Sequence, residues 1–252
     1  MLLLVLVGVV LWAVARQRSR LKRVEWTRPL RVAVVLLTPD GRVSGPVREA
    51  WRGGLVRLGE WAAWQAGRYR ADLDQPLRFS LVGPVAEGAV RLEPVEEAWW
   101  RRALQARRLA TALAQVDAAA GVVPTAWDAR IYVLLEERGE DGPRQVEGLA
   151  EAGGRVGLVR GVREERELTL ELTAVAHELF HCLGAQDAYD AEGHALVPQG
   201  LVEPERQPLY PQPAAEVMVG EVPLEAGRGR LARSLDEVGV GPATAHALHW
   251  TE

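Results

Sequence analysis

The chain has 252 residues, enough for one sizeable domain or two small lobes with a shared core, and its 48% apolar and 25% charged residues are ordinary for a globular protein. A net charge of −4 offers no electrostatic case for nucleic-acid binding. Lys22 is the only lysine, so the basic residues are arginines that read as genome composition rather than as a phosphate-binding device. The single cysteine, Cys182, excludes an internal disulfide.

Residues 1–15 form an apolar run followed by Arg16, Arg18, Arg20, Lys22 and Arg23. As a helix the run would rise about 22 Å, short of a hydrocarbon core of roughly 30 Å. A cleaved signal peptide would carry its positive charge before the apolar run, so the expectation for residues 1–23 is a membrane anchor. The basic flank would then face the cytoplasm and keep the rest of the chain inside the cell.

Leu30 to Leu37 is β-branched and apolar and closes at Pro39-Asp40-Gly41, which predicts a buried strand. Val47, Trp51, Leu55, Leu58, Ala62 and Gln65 recur at helical spacing, predicting a helix over about 46–68 that Gly53 and Gly54 weaken. Leu77 to Val85 reads as a second strand. Pro94 can open a long helix with Glu96 and Glu97 near its start, and Trp99, Ala103, Ala106, Ala110 and Leu113 as its apolar stripe. Arginines 101, 102, 107 and 108 then form a solvated face.

Ala129 to Leu135 and Arg155 to Val162 predict two further strands, separated by a Gly-rich polar stretch. A helix runs from about Leu168 to Leu183 and stops at Gly184. A Pro-rich irregular segment, 185–228, follows. Ser234-x-x-Glu237 has the form of a capping box, and Gly241-Pro242 opens a short terminal helix to about His249. The order predicts an α+β fold: a twisted mixed sheet, two long helices, a motif helix and a small irregular C-terminal part ending in a helix. The expected division is an anchor (1–23), an N-terminal catalytic subdomain (24–184) and a C-terminal subdomain (185–252).

The chemistry sits in HELFHCLGAQD, residues 177–187. His177 and His181 are four apart, so a helix presents both imidazoles on one face, where they can share one Zn²⁺. Glu178 stands beside them as a general base for a water at the metal. Gly184 lets the backbone turn, and Asp187 can return a carboxylate oxygen as third ligand. Asp190, His194, Glu203 and Glu216 are alternatives for that third place. Chance would produce His-Glu-x-x-His in about one such chain in a hundred, and the glycine and aspartate lower that further.

The pattern His177-Glu178-x-x-His181-x-x-Gly184-x-x-Asp187 resembles the metzincin metallopeptidase signature in its aspartate variant. The resemblance implies a methionine turn beneath the metal, for which Met218 in AEVMVG is the only internal methionine. It departs from the commoner pattern at Asp187, where histidine is usual, and at Gly220, where many members have tyrosine. LGAQDAYD together with AEVMVG is also similar to a set of membrane-anchored bacterial proteins. It implies a zinc metalloendopeptidase, with a peptide or protein substrate and no nucleic acid. Glu178 would be catalytic, His177, His181 and Asp187 would bind zinc, and Tyr189 or Tyr210 could donate to an oxyanion. Two rivals remain: a membrane-anchored zinc-binding protein without activity, and a zinc hydrolase of a non-peptide amide or ester.

Overall fold

The computed structural model describes residues 13–15, 17–91, 99–137, 148–150, 153–164 and 167–251. Its centre is a five-stranded sheet in the order β2-β1-β3-β5-β4. The strands are β1 (Leu30–Thr38), β2 (Leu77–Ala86), β3 (Ala129–Glu136), β4 (Gly148–Ala150) and β5 (Val156–Val162). All pairings are parallel except that of β4, which lies antiparallel to β5 at one edge. The fold is α+β, as the order of elements predicts.

Side-chain alternation sends each strand's residues to two cores. Val32, Val34 and Leu36 of β1, with Ile131, Val133 and Leu135 of β3, join a core with α1 (Gly45–Gly67) and α3 (Leu168–Leu183). Ala33, Val35, Leu37, Tyr132 and Leu134 face the other way, onto Ala112, Leu113 and Val116 of α2 (Trp99–Ala120). Burial on both faces explains why these strands read as unbroken apolar runs. Ser44 caps α1 by accepting from the Val47 backbone at 3.3 Å.

Close approaches need glycine at two points. A Cβ on Gly54 would lie 2.9 Å from Leu172 Cδ1, so the glycine that weakens α1 is what lets α3 cross it. A Cβ on Gly157 of β5 would lie 3.0 Å from the Glu178 Cβ, which brings the motif helix down onto the sheet. A chain of rings then joins the N-terminal region, α1, α3 and the C-terminus. Trp26 and Trp250 lie 6.0 Å apart, Trp250 and Phe180 5.7 Å, and Phe180 and Trp61 6.2 Å.

Several expectations need correction. The buried stripe of α2 is Ala112, Leu113 and Val116, with Leu109 half-buried, while Ala106 and Ala110 are exposed. Leucine and valine carry more transferable surface than alanine, so they set which face turns inward. Pro94 to Glu97 lie outside the described residues. The polar stretch before β5 contains the edge strand β4. The segment 185–228 is not irregular throughout: β6 (Ala215–Glu216) pairs in parallel with β9 (Val238–Gly239), and β7 (Glu221–Glu225) pairs antiparallel with β8 (Arg228–Leu231). The capping box does not form. Ser234 makes no side-chain cap, and Glu237 instead holds the Arg230 guanidinium at 2.7 and 3.0 Å and the Arg233 backbone at 2.8 Å. The terminal helix is α4 (Pro242–Ala247).

The membrane anchor is also corrected. Among the described residues no helix is long and apolar enough to cross a membrane. Residues 1–12 lie outside the described residues, so the orientation drawn from a spanning helix loses its basis with it. Residues 17–23 are helical, and their basic side chains serve the domain. Arg23 is buried and its Nη2 donates to the carbonyls of Gly153 (3.2 Å), Gly154 (2.6 Å) and Cys182 (3.0 Å). The Arg20 guanidinium lies against Gly184, where a Cβ would collide with it. Two cations therefore meet the C-terminal end of α3, where the helix dipole and its last carbonyls favour positive charge.

Replacing Arg23 by Met should lower stability by roughly 2–4 kcal/mol in urea unfolding, because three buried acceptors lose a charged donor. A merely solvated basic flank would move the midpoint within about 0.5 kcal/mol.

Candidate metal centre

α3 carries His177, Glu178 and His181, and Gly184 ends it in the left-handed region at φ 112°. The Gly184 and Ala185 backbone N–H groups both return to the Phe180 carbonyl at 2.9 Å, a tight reversal that only glycine takes without strain. The reversal carries Asp187 back over the helix. Its Oδ1 lies 3.1 Å from His177 Nε2 and 3.1 Å from His181 Nε2, and the two Nε2 atoms are 3.0 Å apart. The imidazoles meet edge to face, 4.6 Å between centroids.

The other ring nitrogens decide what this triangle can do. His177 Nδ1 donates to the Val217 carbonyl at 3.1 Å, and His181 Nδ1 donates to the Ala185 carbonyl at 2.9 Å. A carbonyl can only accept, so in each neutral ring the proton sits on Nδ1 and the Nε2 lone pair points inward. Two lone pairs and a carboxylate oxygen thus converge with no donor among them. The arrangement calls for positive charge, which either a bound cation or protonation of one imidazole supplies. Donors about 2.0–2.2 Å from one tetrahedral ion lie roughly 3.3–3.6 Å apart, and these three are only a few tenths closer, so the set fits zinc. The same demand for positive charge appears on His177: burial opposes its protonation, but the bond to Asp187, the Glu178 charge and the Val217 carbonyl raise its pKa on balance. The bond from His177 in turn lowers the pKa of Asp187 against burial, with His181 helping.

Glu178 has a ligand atom within 4.8 Å of the two imidazoles as well. Asp187 Oδ1, 3.1 Å from both Nε2 atoms, closes the triangle with them. That carboxyl is 4% exposed, lies against Gly148 of β4, and has no partner for Oε2 among the described residues. Burial pushes its pKa up to about 7, with the His177 charge opposing and the Asp187 charge adding to the rise. A carboxyl poised near neutrality can both take and return a proton. Side-chain exposures of 18% and 14% for the histidines and 45% for Asp187 leave the triangle open on one side.

Met218 is fully buried, in a turn whose preceding residue, Val217, supplies the carbonyl that holds His177. The Met218 carbonyl accepts from the Ala188 backbone at 3.1 Å, tying the turn to the residue beside Asp187. Gly220 sits at φ +86°, where tyrosine would be strained. Glu216 is committed to other partners. Its carboxyl is wholly buried and accepts from the Met218 backbone at 2.5 Å, the Gly241 backbone at 3.2 Å and the Thr244 side chain. It thereby pins the turn around Met218 to the start of α4, with a pKa that burial pushes up to about 7.

The remaining candidates separate cleanly. Tyr189 donates its phenol to Asp187 and so belongs to the site, whereas Tyr210 lines a different cavity with His194 and Glu221. Asp190 closes its own turn, accepting from the Glu192 and His194 backbones at 3.1 and 2.8 Å. Glu203 pairs with Arg206 at 3.0 Å. Sequence reading did not single out Gly148 or Val217. Gly148 hides in a glycine-rich stretch, and Val217 acts through its carbonyl, which no residue type encodes. No protein-family model matches the chain and no curated protein matches it, so the geometry alone carries the reading of this site.

One buried carboxyl of α3 stands outside the site. Glu171 is fully buried against Gly161, accepts from the Val162 backbone at 2.6 Å, and burial pushes its pKa up to about 8. The unfolded chain releases that proton near the ordinary glutamate value of 4.5, while the folded chain holds it to about 8. The folded state therefore loses stability as pH rises between those values, by roughly 2–5 kcal/mol. Urea midpoints of the metal-free protein should fall from pH 5 to pH 8, with Glu178 and Glu216 contributing below about pH 7, and Glu171→Gln should make the fall shallower, most clearly between pH 7 and pH 8. An equal decline in the variant would remove Glu171 as its source.

Proposed function

We propose that the chain is a zinc-dependent hydrolase of peptide bonds, with His177, His181 and Asp187 as zinc ligands and Glu178 as the proton carrier. The observation behind this reading is the triangle in which the Nε2 atoms of His177 and His181 and the Asp187 Oδ1 face one point, 3.0–3.1 Å apart. Zinc held by His177, His181 and Asp187 would supply Lewis acidity to water and to the scissile carbonyl. Glu178, buried beside the histidines, would accept a proton from the attacking water and deliver it to the leaving nitrogen. The Val217 and Ala185 carbonyls hold both histidines in the one tautomer that can ligate. Tyr189 steadies the Asp187 carboxylate and is near enough to donate to developing negative charge at the same opening.

The same reading takes the fold as metzincin-type. It is supported by the mixed sheet, the long helices α1 and α2, the motif helix packed on β5 and β4, and a buried methionine turn under the histidines followed by a short terminal helix. Aspartate in place of a third histidine cancels part of the metal charge, so water there is less acidified than with three imidazoles.

Metal analysis after dialysis should find one zinc per chain. Glu178→Gln should keep that zinc while cleavage of a peptide library falls about 10²–10⁴-fold. His181→Ala should lose the metal altogether. A wild-type chain without stoichiometric zinc would sink the proposal.

A further inference from the structure

The N-terminal helical segment and the residues at the starts of β1 and β5 line a second, half-open cavity, about 530 Å³ in volume, that the hydrolase reading does not use. Five of its lining side chains are cationic: Arg18, Lys22, Arg23, Arg28 and Arg155. One is acidic. That residue, Asp128, is already satisfied by the Arg28 guanidinium at 2.7 and 2.8 Å and by the Arg31 backbone at 2.9 Å. Four cations are left with no carboxylate among the described residues bridging them.

Their hydrogen bonds show what is missing. Arg155 Nη2 and Arg23 Nη1 both donate to the hydroxyl oxygen of Ser19, at 2.9 and 3.4 Å. A neutral oxygen thus stands between two guanidinium groups where an anion would be the strong partner. With its oxygen accepting twice, the Ser19 hydroxyl proton remains available to donate. Arg23 is 4% exposed and its Nε has no partner among the described residues. Burial, and then repulsion from Arg155, hold its pKa below the ordinary range.

We propose that this cavity binds a phosphate group, carried either by free phosphate or by an anionic lipid headgroup. Several planar guanidinium forks, one ammonium and one hydroxyl suit a tetrahedral oxyanion with oxygens facing several ways. A carboxylate offers only two oxygens to the same donors. The Arg23 side chain that forms part of the wall also bonds the Cys182 carbonyl, so an occupied cavity would brace the last turn of the motif helix.

The test is calorimetric titration of the full chain with inorganic phosphate at constant ionic strength. Beside it runs co-sedimentation with phosphatidylcholine vesicles, with and without phosphatidylglycerol. Binding should saturate at one site, and the double variant Arg18→Gln, Arg155→Gln should weaken it by about tenfold or more through lost charge-assisted bonds. Lys22→Gln supplies the same comparison if the double variant does not fold. The effect should persist in His181→Ala, which separates this cavity from any anion held at the metal centre. Saturation by free phosphate identifies a soluble source, and binding only to phosphatidylglycerol vesicles identifies the headgroup. Binding to neither, or binding that the charge variants leave unchanged, overturns the proposal.

Discussion

The Nδ1–H bonds from His177 to the Val217 carbonyl and from His181 to the Ala185 carbonyl turn both Nε2 lone pairs toward a point that Asp187 Oδ1 also faces. Three acceptors within 3.1 Å of one another repel unless positive charge joins them. Much of the surrounding structure maintains this arrangement. Gly184 reverses the chain to supply Asp187. The turn around Met218 supplies the carbonyl that orients His177, and its own carbonyl holds Ala188. Glu216, buried beneath, fixes that turn to α4 with bonds to two backbone N–H groups.

The motif helix is held at its C-terminal end and along its length by different means. At its C-terminal end Arg20 and Arg23 meet the exposed carbonyls and the negative end of the helix dipole. Along its length, Gly157 and Gly161 of β5 and Gly54 of α1 remove the side chains that would hold it away. The closeness excludes water from Glu171 and Glu178, and both carboxyls respond by holding their protons to higher pH. Tight packing against the sheet and the near-neutral pKa of Glu178 are thus one physical fact.

Much of the fold was legible because burial leaves a plain mark on composition. β1 and β3 are covered on both faces and read as apolar runs; α1 is covered on one and reads at helical period. β4 was not legible, since an edge strand of three residues owes its place to β5 and its glycine to Glu178. The stripe of α2 was misread because alanine spacing was weighed like leucine spacing. Hydropathy favoured a spanning anchor at the N-terminus. Arg23, read as an exposed flank, is instead buried against carbonyls more than a hundred residues away.

By itself the sequence determined the local chemistry: two imidazoles one helical turn apart, an acid beside them, a glycine to end the helix and an aspartate within reach. These follow from short-range geometry that a helix imposes on any chain. Only the tertiary structure decided which ring nitrogen is protonated, which of five possible third ligands faces the pair, and where the basic N-terminal residues go. Each of those depends on backbone carbonyls and neighbours distant in sequence. A carbonyl is the same group at every residue, so its direction is written in the fold and not in the side chains.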